Sequence, residues 1–175
     1  MKVNDLTHIA LCVVLMIICA WITIPMVIPV TMQVFAVALT ANLLGGKKGL
    51  LAVIVYIFMG AAGLPVFSGM RGGFGVLLGN TGGYIIGYIV MVLIIWAFEG
   101  VSRKFKNVDL IAMILGLIGC YVLGTVWFVF GYAQDTSAAG IKAAVLMCVV
   151  PYVIPDLIKL FLARTVCQRL KKYIL

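Results

Sequence analysis

Three features predict an all-α integral membrane protein, a bundle of six transmembrane helices: a large apolar excess, six apolar runs near bilayer length, and basic residues gathered at the ends of those runs. Of the 175 residues, 65% are hydrophobic and 10% charged. Soluble domains average roughly 45–50% apolar and about 25% charged residues, so the surplus must face lipid. No polar stretch is long enough to form a linker, which predicts a single domain over residues 1–175.

The first span is expected at residues 6–24. Its apolar run from Ile9 to Ile24 has no A-x-A-like cleavage site and reads as a retained helix. Pro25 and Pro29 end it, because proline lacks an amide donor and restricts the residue before it. The second and third spans, 31–46 and 49–64, are short and separated by Gly45-Gly46-Lys47-Lys48-Gly49, a tight and positively charged turn. Residues Gly63 to Gly79 are rich in glycine and contain Pro65. This segment is expected to be non-helical and to serve as a lid, since structureless loops of such length are usually functional.

Three further spans follow at 81–98, 109–132 and 144–166. Gly79, Gly83 and Gly87 recur every four residues and predict a close helix–helix contact. Trp21, Trp96 and Trp127 lie toward span ends and read as membrane-interface anchors.

Charge position sets the orientation. With the N-terminus in the cytoplasm, the inner side carries Lys2, Lys47, Lys48, Arg103, Lys104, Lys106, Arg164, Arg169, Lys171 and Lys172. The outer side then carries only Arg71 and Lys142. Such an excess of basic residues marks the cytoplasmic side, and an even number of spans returns the C-terminus there. The lid and the polar stretch Gln134 to Lys142 face outward. The net charge of +8 lies at helix ends, not in an aromatic-lined groove, which argues against nucleic acid. The terminal Arg169, Lys171 and Lys172 read as an anchor on anionic lipid.

The chemistry concentrates in the last span. Asp156 and Lys159 are three residues apart and share one helix face. A charge at mid-bilayer costs a few kcal/mol even on lenient scales, so it faces a protein interior or wet cavity and meets a partner or ligand. The five cysteines, Cys12, Cys19, Cys120, Cys148 and Cys167, sit in apolar spans without C-x-x-C spacing and read as small hydrophobes. His8 is the only histidine, and the five acids are scattered, so no metal or acid–base constellation supports an enzyme.

Several segments in order resemble the BioY family, the biotin-specific substrate-binding (S) components of energy-coupling-factor (ECF) vitamin transporters. Ile28-Pro29-Val30-Thr31-Met32-Gln33 resembles the family's I-P-V-x-x-Q, and Leu44-Gly45-Gly46-Lys47-Lys48-Gly49 its L-G-x-[KR]-x-G. Gly60-Ala61-Ala62-Gly63-Leu64-Pro65-Val66-Phe67 matches G-A-A-G-L-P-V-F. Residues Gly72 to Tyr84 resemble G-G-x-G-x-L-x-G-P-T-G-G-Y, and Ile154-Pro155-Asp156-Leu157-Ile158-Lys159 resembles I-P-x-D-x-I-K. Two positions depart: Asn80 stands where the family often has proline, and Ile85 where it often has arginine. Arg71 is the candidate replacement for that missing cation.

The resemblance implies biotin capture at the outer face of a bacterial cell membrane, without cofactor or catalysis. It also implies an ECF energising module, a membrane coupling protein plus two ATPases, because this chain has no G-x-x-x-x-G-K-[ST] of its own. No docking register is assigned, since Ala10 is followed four residues later by Val14 and not by a second alanine. Biotin's cyclic urea offers two N–H donors and one carbonyl; an ionised Asp156 accepts from the former, and Lys159 donates. Gly72 and Gly73 allow close backbone approach, Gln33 and Asn80 supply amides, and Phe67, Phe74 and Tyr84 supply apolar walls. An S component for another vitamin and an integral-membrane enzyme are the alternatives.

Overall fold

The computed structural model describes residues 3–26, 28–102, 107–132 and 138–174. Lys2, Arg103, Lys104 and Lys106 of the orientation count, and Gln134 with the three residues after it, lie outside the described residues. The chain is predominantly helical. In order come α1 (Val3–Trp21), β1 (Thr23–Ile24), β2 (Val30–Thr31), α2 (Gln33–Leu44), α3 (Gly46–Ala61), α4 (Phe74–Leu77), α5 (Gly82–Ser102), α6 (Val108–Tyr132), α7 (Ala138–Cys148) and α8 (Val150–Ile174).

Among the described residues, four stretches are long and apolar enough to cross a membrane: α1, α5, Val108–Gly131 of α6, and Gly140–Lys172 through α7 and α8. This is a multi-pass membrane protein. Helices α2 and α3, at 12 and 16 residues, are shorter than a full crossing. Large apolar side chains such as Phe58, Phe130 and Ile154 remain highly exposed on the bundle's outside, as lipid contact requires.

The first helix stops three residues earlier than expected. Ile22 to Ile24 leave the helix ahead of Pro25, and Thr23 and Ile24 pair antiparallel with Thr31 and Val30. The turn after α2 is also shorter than Gly45 to Gly49. Gly45 alone makes it, at φ 80°, a left-handed conformation that glycine adopts without a Cβ penalty. Gly46 already begins α3, so Lys47 and Lys48 belong to a helix. The Gly63–Gly79 segment is not wholly irregular, since α4 forms one helical turn within it. The last span is two helices broken at Val149. Pro151 and Pro155 cannot donate to the preceding turn, which favours a helix start at this point and weakens the first turns of α8.

Helix α2 is the short centre of the bundle. It contacts α1, α3, α5 and α8 and buries residues on every side, including Gln33, Ala36, Val37, Thr40 and Ala41. That explains its apolar character all round. The most extensive helix pair is α5 with α6, and small residues allow it. A Cβ at Gly83 would lie 2.2 Å from Trp127 Cβ, and one at Gly87 would lie 2.8 Å from Cys120 Sγ and 3.1 Å from Cys120 Cα. Gly79 does not belong to this seam: it precedes α5, and its carbonyl accepts from Trp127 Nε1 at 3.1 Å. All five cysteines are free and buried.

Among the described residues, Lys142 lies on α7, while Lys47, Lys48, Arg164, Arg169, Lys171 and Lys172 belong to the helix ends on one side of the bundle. There Lys48 Nζ meets Asp5 Oδ1 at 2.7 Å, Arg164 Nε meets Asp109 Oδ2 at 3.0 Å, and the Gly46 amide donates to Glu99. Arg71 lies on the loop at the opposite end.

A Gly87→Val substitution forces the α5 and α6 backbones apart. We expect overpacking to cost about 1–3 kcal/mol, read as a lowered thermal unfolding midpoint of the purified protein; an unchanged midpoint would contradict the tight seam.

Candidate functional site: a buried charge pair beneath a stitched loop

Asp156 and Lys159 lie on the inner face of α8, 4% and 7% exposed. Lys159 Nζ donates to Asp156 Oδ1 at 2.6 Å. Tyr121, on α6, donates its hydroxyl to Asp156 Oδ2 at 2.6 Å. Each carboxylate oxygen therefore receives one strong donor and keeps an acceptor site over. Burying a single charge here would be prohibitive, whereas a hydrogen-bonded pair is tolerable.

The pair lines an inner hollow of about 50 Å³, together with Thr31, Tyr84, Tyr88, Tyr121 and Tyr152. Every tyrosine hydroxyl in this lining is already committed. Tyr84 pairs with Thr125 at 3.2 Å, Tyr88 donates to Gln33 Oε1 at 3.4 Å, and Tyr152 donates to the Ile28 carbonyl. With those protons spent, what remains for a ligand is the spare acceptor capacity of Asp156 and the spare N–H donors of Lys159, beside hydroxyl lone pairs that can still accept. A second hollow of about 40 Å³ adjoins the first, sharing Ile28, Pro29, Thr31, Tyr84 and Tyr88, and reaches Gln33, Phe67, Ser68, Arg71 and Thr81. Ser68 Oγ is buried there without a hydrogen-bond partner.

The loop above is stitched down. Tyr56, fully buried on α3, accepts from Gln33 Nε2 and donates to the Val66 carbonyl at 3.0 Å. Phe67 is 1% exposed, edge-on to Tyr56 at 5.6 Å between ring centroids. Its ring occupies the space a Cβ at Gly60 would need. The Gly73 amide donates to the Gly60 carbonyl at 2.7 Å, and Trp21 Nε1 to the Pro65 carbonyl at 2.9 Å. Trp21 and Trp127 thus hold loop carbonyls in addition to sitting near span ends.

The structure brings together six of the ten residues expected at the site: Asp156, Lys159 and Tyr84 at the inner hollow, with Gln33, Phe67 and Arg71, joined by Tyr84 again, at the outer one. Gln33 is there as a fastener, with its amide spent on Tyr56, Thr31 and Tyr88. Four lie elsewhere. Phe74 is 68% exposed on α4. Gly72 serves its own turn, since a Cβ would fall 2.2 Å from the Leu64 carbonyl oxygen, and Gly73 adopts φ 94° with open space where its Cβ would be. Asn80 is half-buried and lines neither hollow. Residue types alone had missed Tyr88, Tyr121 and Tyr152. For Tyr88 and Tyr152 the signal was spacing, since Tyr152, Asp156 and Lys159 at i, i+4 and i+7 fall on one face, as do Tyr84 and Tyr88, whereas Tyr121 on α6 carried none.

A larger hollow of about 450 Å³ opens at the basic end, between α2, α5 and α8, lined by Asn42, Glu99 and Lys171 among others. The buried Asp156–Lys159 pair lines the smaller inner hollow, so buried charge and not volume locates the candidate site.

Helical crossings around an enclosed acceptor–donor couple define a polytopic membrane protein with an internal polar chamber. The sequence model of the BioY family matches residues 1–175, and the chain belongs to that family. It is similar to the biotin transporter BioY of Thermotoga maritima, 42% identical over 159 residues that cover 90% of each chain. It is also similar to the probable biotin transporter BioY of Pyrococcus horikoshii, 33% identical over 172 residues and 98% of each. Its fold matches a crystal structure of the S-component for biotin from an ECF-type ABC transporter, with TM-score 0.83 and 25% identity over 98% of this chain and 95% of that one.

Removing the Tyr56 hydroxyl strands the Val66 carbonyl and alters the Gln33 amide's bonding. For Tyr56→Phe we expect about 1–3 kcal/mol of local destabilisation, seen as faster amide hydrogen exchange at Val66 and Phe67. Unaltered exchange there would mean that the loop is held by other contacts.

Proposed function

We propose that this protein is a biotin-binding S component of an ECF-type transporter, taking biotin from the outer face of the membrane for uptake. The observation that carries this is the donor–acceptor inventory of the inner hollow. With the surrounding hydroxyls committed, the lining offers a carboxylate that accepts and an ammonium that donates. A cyclic urea presents the complement, N–H groups for Asp156 and a carbonyl for Lys159. The apolar and aromatic lining suits a thiophane ring and alkyl chain. Membership of a transporter family excludes the enzyme alternative.

Arg71, with Ser68 and Thr81 beside it in the outer hollow, is our candidate partner for the valerate carboxylate. It replaces a cation that Ile85 does not supply. The two hollows, about 50 and 40 Å³, are far below the roughly 300 Å³ at the low end of ligand pockets. Biotin entry therefore needs the shared wall, Ile28 to Thr31 against Tyr84 and Tyr88, to part and merge them. The Gly63–Gly79 loop, as the lid, and the α1–α2 connection are the elements above that wall.

Six passes fit this role, with α2 and α3 as short crossings shielded by their neighbours. The basic end then lies in the cytoplasm with both termini, within one domain spanning residues 1–175. Uptake requires a membrane coupling protein and two ATPases to supply energy.

Asp156→Asn and Lys159→Ala each leave the partner buried and uncompensated, a loss of about 3–5 kcal/mol. Equilibrium binding of radiolabelled biotin to the purified protein should show far weaker affinity for both; wild-type affinity in both variants would put the site elsewhere. Arg71→Ala should weaken biotin while leaving biotin methyl ester, which carries no carboxylate, nearly unaffected. Equal affinity of wild type and Arg71→Ala for biotin rules out the carboxylate role.

A further inference from the structure

We infer that Tyr121 is a positioning residue for Asp156, setting the carboxylate's orientation toward a urea-bearing ligand. This rests on the biotin-binding reading above and deepens it. Asp156 has a carboxylate that turns freely about its last torsion unless both oxygens are held. Lys159 holds one oxygen, but it sits one turn along the same helix and moves with Asp156. Tyr121 holds the other from a different helix, α6, 35 residues away in sequence. Two donors from two elements fix the plane of the group, which one donor on its own helix does not.

The chemistry of the donor also matters. A phenol is neutral, so it steers the carboxylate without cancelling the charge that attracts an N–H. An arginine or lysine at this place would add a second cation to a pair that is already balanced. Among the four tyrosines lining the inner hollow, Tyr121 is the one bonded to the charged pair. The hydroxyls of Tyr84, Tyr88 and Tyr152 reach Thr125, Gln33 and the Ile28 carbonyl instead. Tyr121 therefore does something that its neighbours, of the same residue type, do not.

The test uses Tyr121→Phe in the full-length protein, which keeps the ring and removes only the hydroxyl. Equilibrium binding should show biotin held about tenfold more weakly, the scale of one hydrogen bond to a charged group. Infrared difference spectroscopy of the unliganded protein supplies a second readout. The carboxylate stretch assigned to Asp156 through Asp156→Asn, or through Asp156→Glu if the former does not fold, should shift in Tyr121→Phe. Affinity within twofold of wild type overturns the inference. So does weaker binding with an unmoved carboxylate band, which would mark Tyr121 as a helix-packing residue only. If wild type itself binds no biotin, the functional reading fails, while an unmoved band still rejects, and a shifted band still supports, the coupling of Tyr121 to Asp156.

Discussion

The protein is organised around one electrostatic constraint: a carboxylate and an ammonium buried in an apolar bundle. Neither charge can face hydrocarbon, so α8 has only one workable rotation about its axis. In that rotation Asp156 and Lys159 turn inward with Tyr152, while Ile154, Ile158 and Phe161 are left exposed on the lipid side. The inward face then needs neighbours that can satisfy it. Helix α6 contributes the Tyr121 hydroxyl, and α5 and the α1–α2 connection complete the enclosure with Tyr84, Tyr88 and Thr31. Satisfying the pair dictates which faces of several helices meet.

The Gly63–Gly79 loop follows a different logic. Most of the loop is exposed but Val66 and Phe67 are buried, and a buried carbonyl left unpaired would carry a desolvation penalty, so donors to the loop carbonyls matter. Indole and phenol donors from the bundle meet them: Trp21 at Pro65, Tyr56 at Val66 and Trp127 at Gly79. Aromatic residues suit this work because an apolar ring can pack in the bundle while its polar edge reaches a carbonyl. Glycine contributes by absence, as at Gly60, where the missing side chain leaves room for Phe67. The Gly63–Gly79 loop is held to the bundle by these bonds and is not a loose strand.

The helix seam between α5 and α6 shows a third force. Lipid gives no hydrophobic drive for helices to associate, so close van der Waals approach has to do it. Gly83 and Gly87 on α5, with Gly124 of α6 facing Tyr84, bring the two backbones together. The same seam presents Tyr84 and Tyr88 of α5 and Tyr121 of α6 to the chamber. Close packing and the chamber lining therefore share one pair of helices.

The helical membrane class, four of the expected crossing segments and the inward burial of Asp156 and Lys159 were legible in the chain itself, because an apolar excess and a charge within an apolar run have few physical solutions. Family membership was legible too, in glycine and proline segments whose order is specific. Helix ends were less so: glycine and proline mark where a turn at Gly45 or a break near Val149 can fall, but the residue at which each helix stops, as in the early end of α1, depends on pairing and packing as well. The lining of the two hollows divided in the same way. Phe74, Gly72, Gly73 and Asn80 have suitable chemistry, yet the chain path leads them away from the chamber, whereas Tyr121 is an ordinary residue in an apolar run until α6 is laid against α8. Residue type determines what a side chain can donate, accept or exclude. Only the packed fold decides which partner stands within 3 Å, since that depends on the rotation of every helix at once.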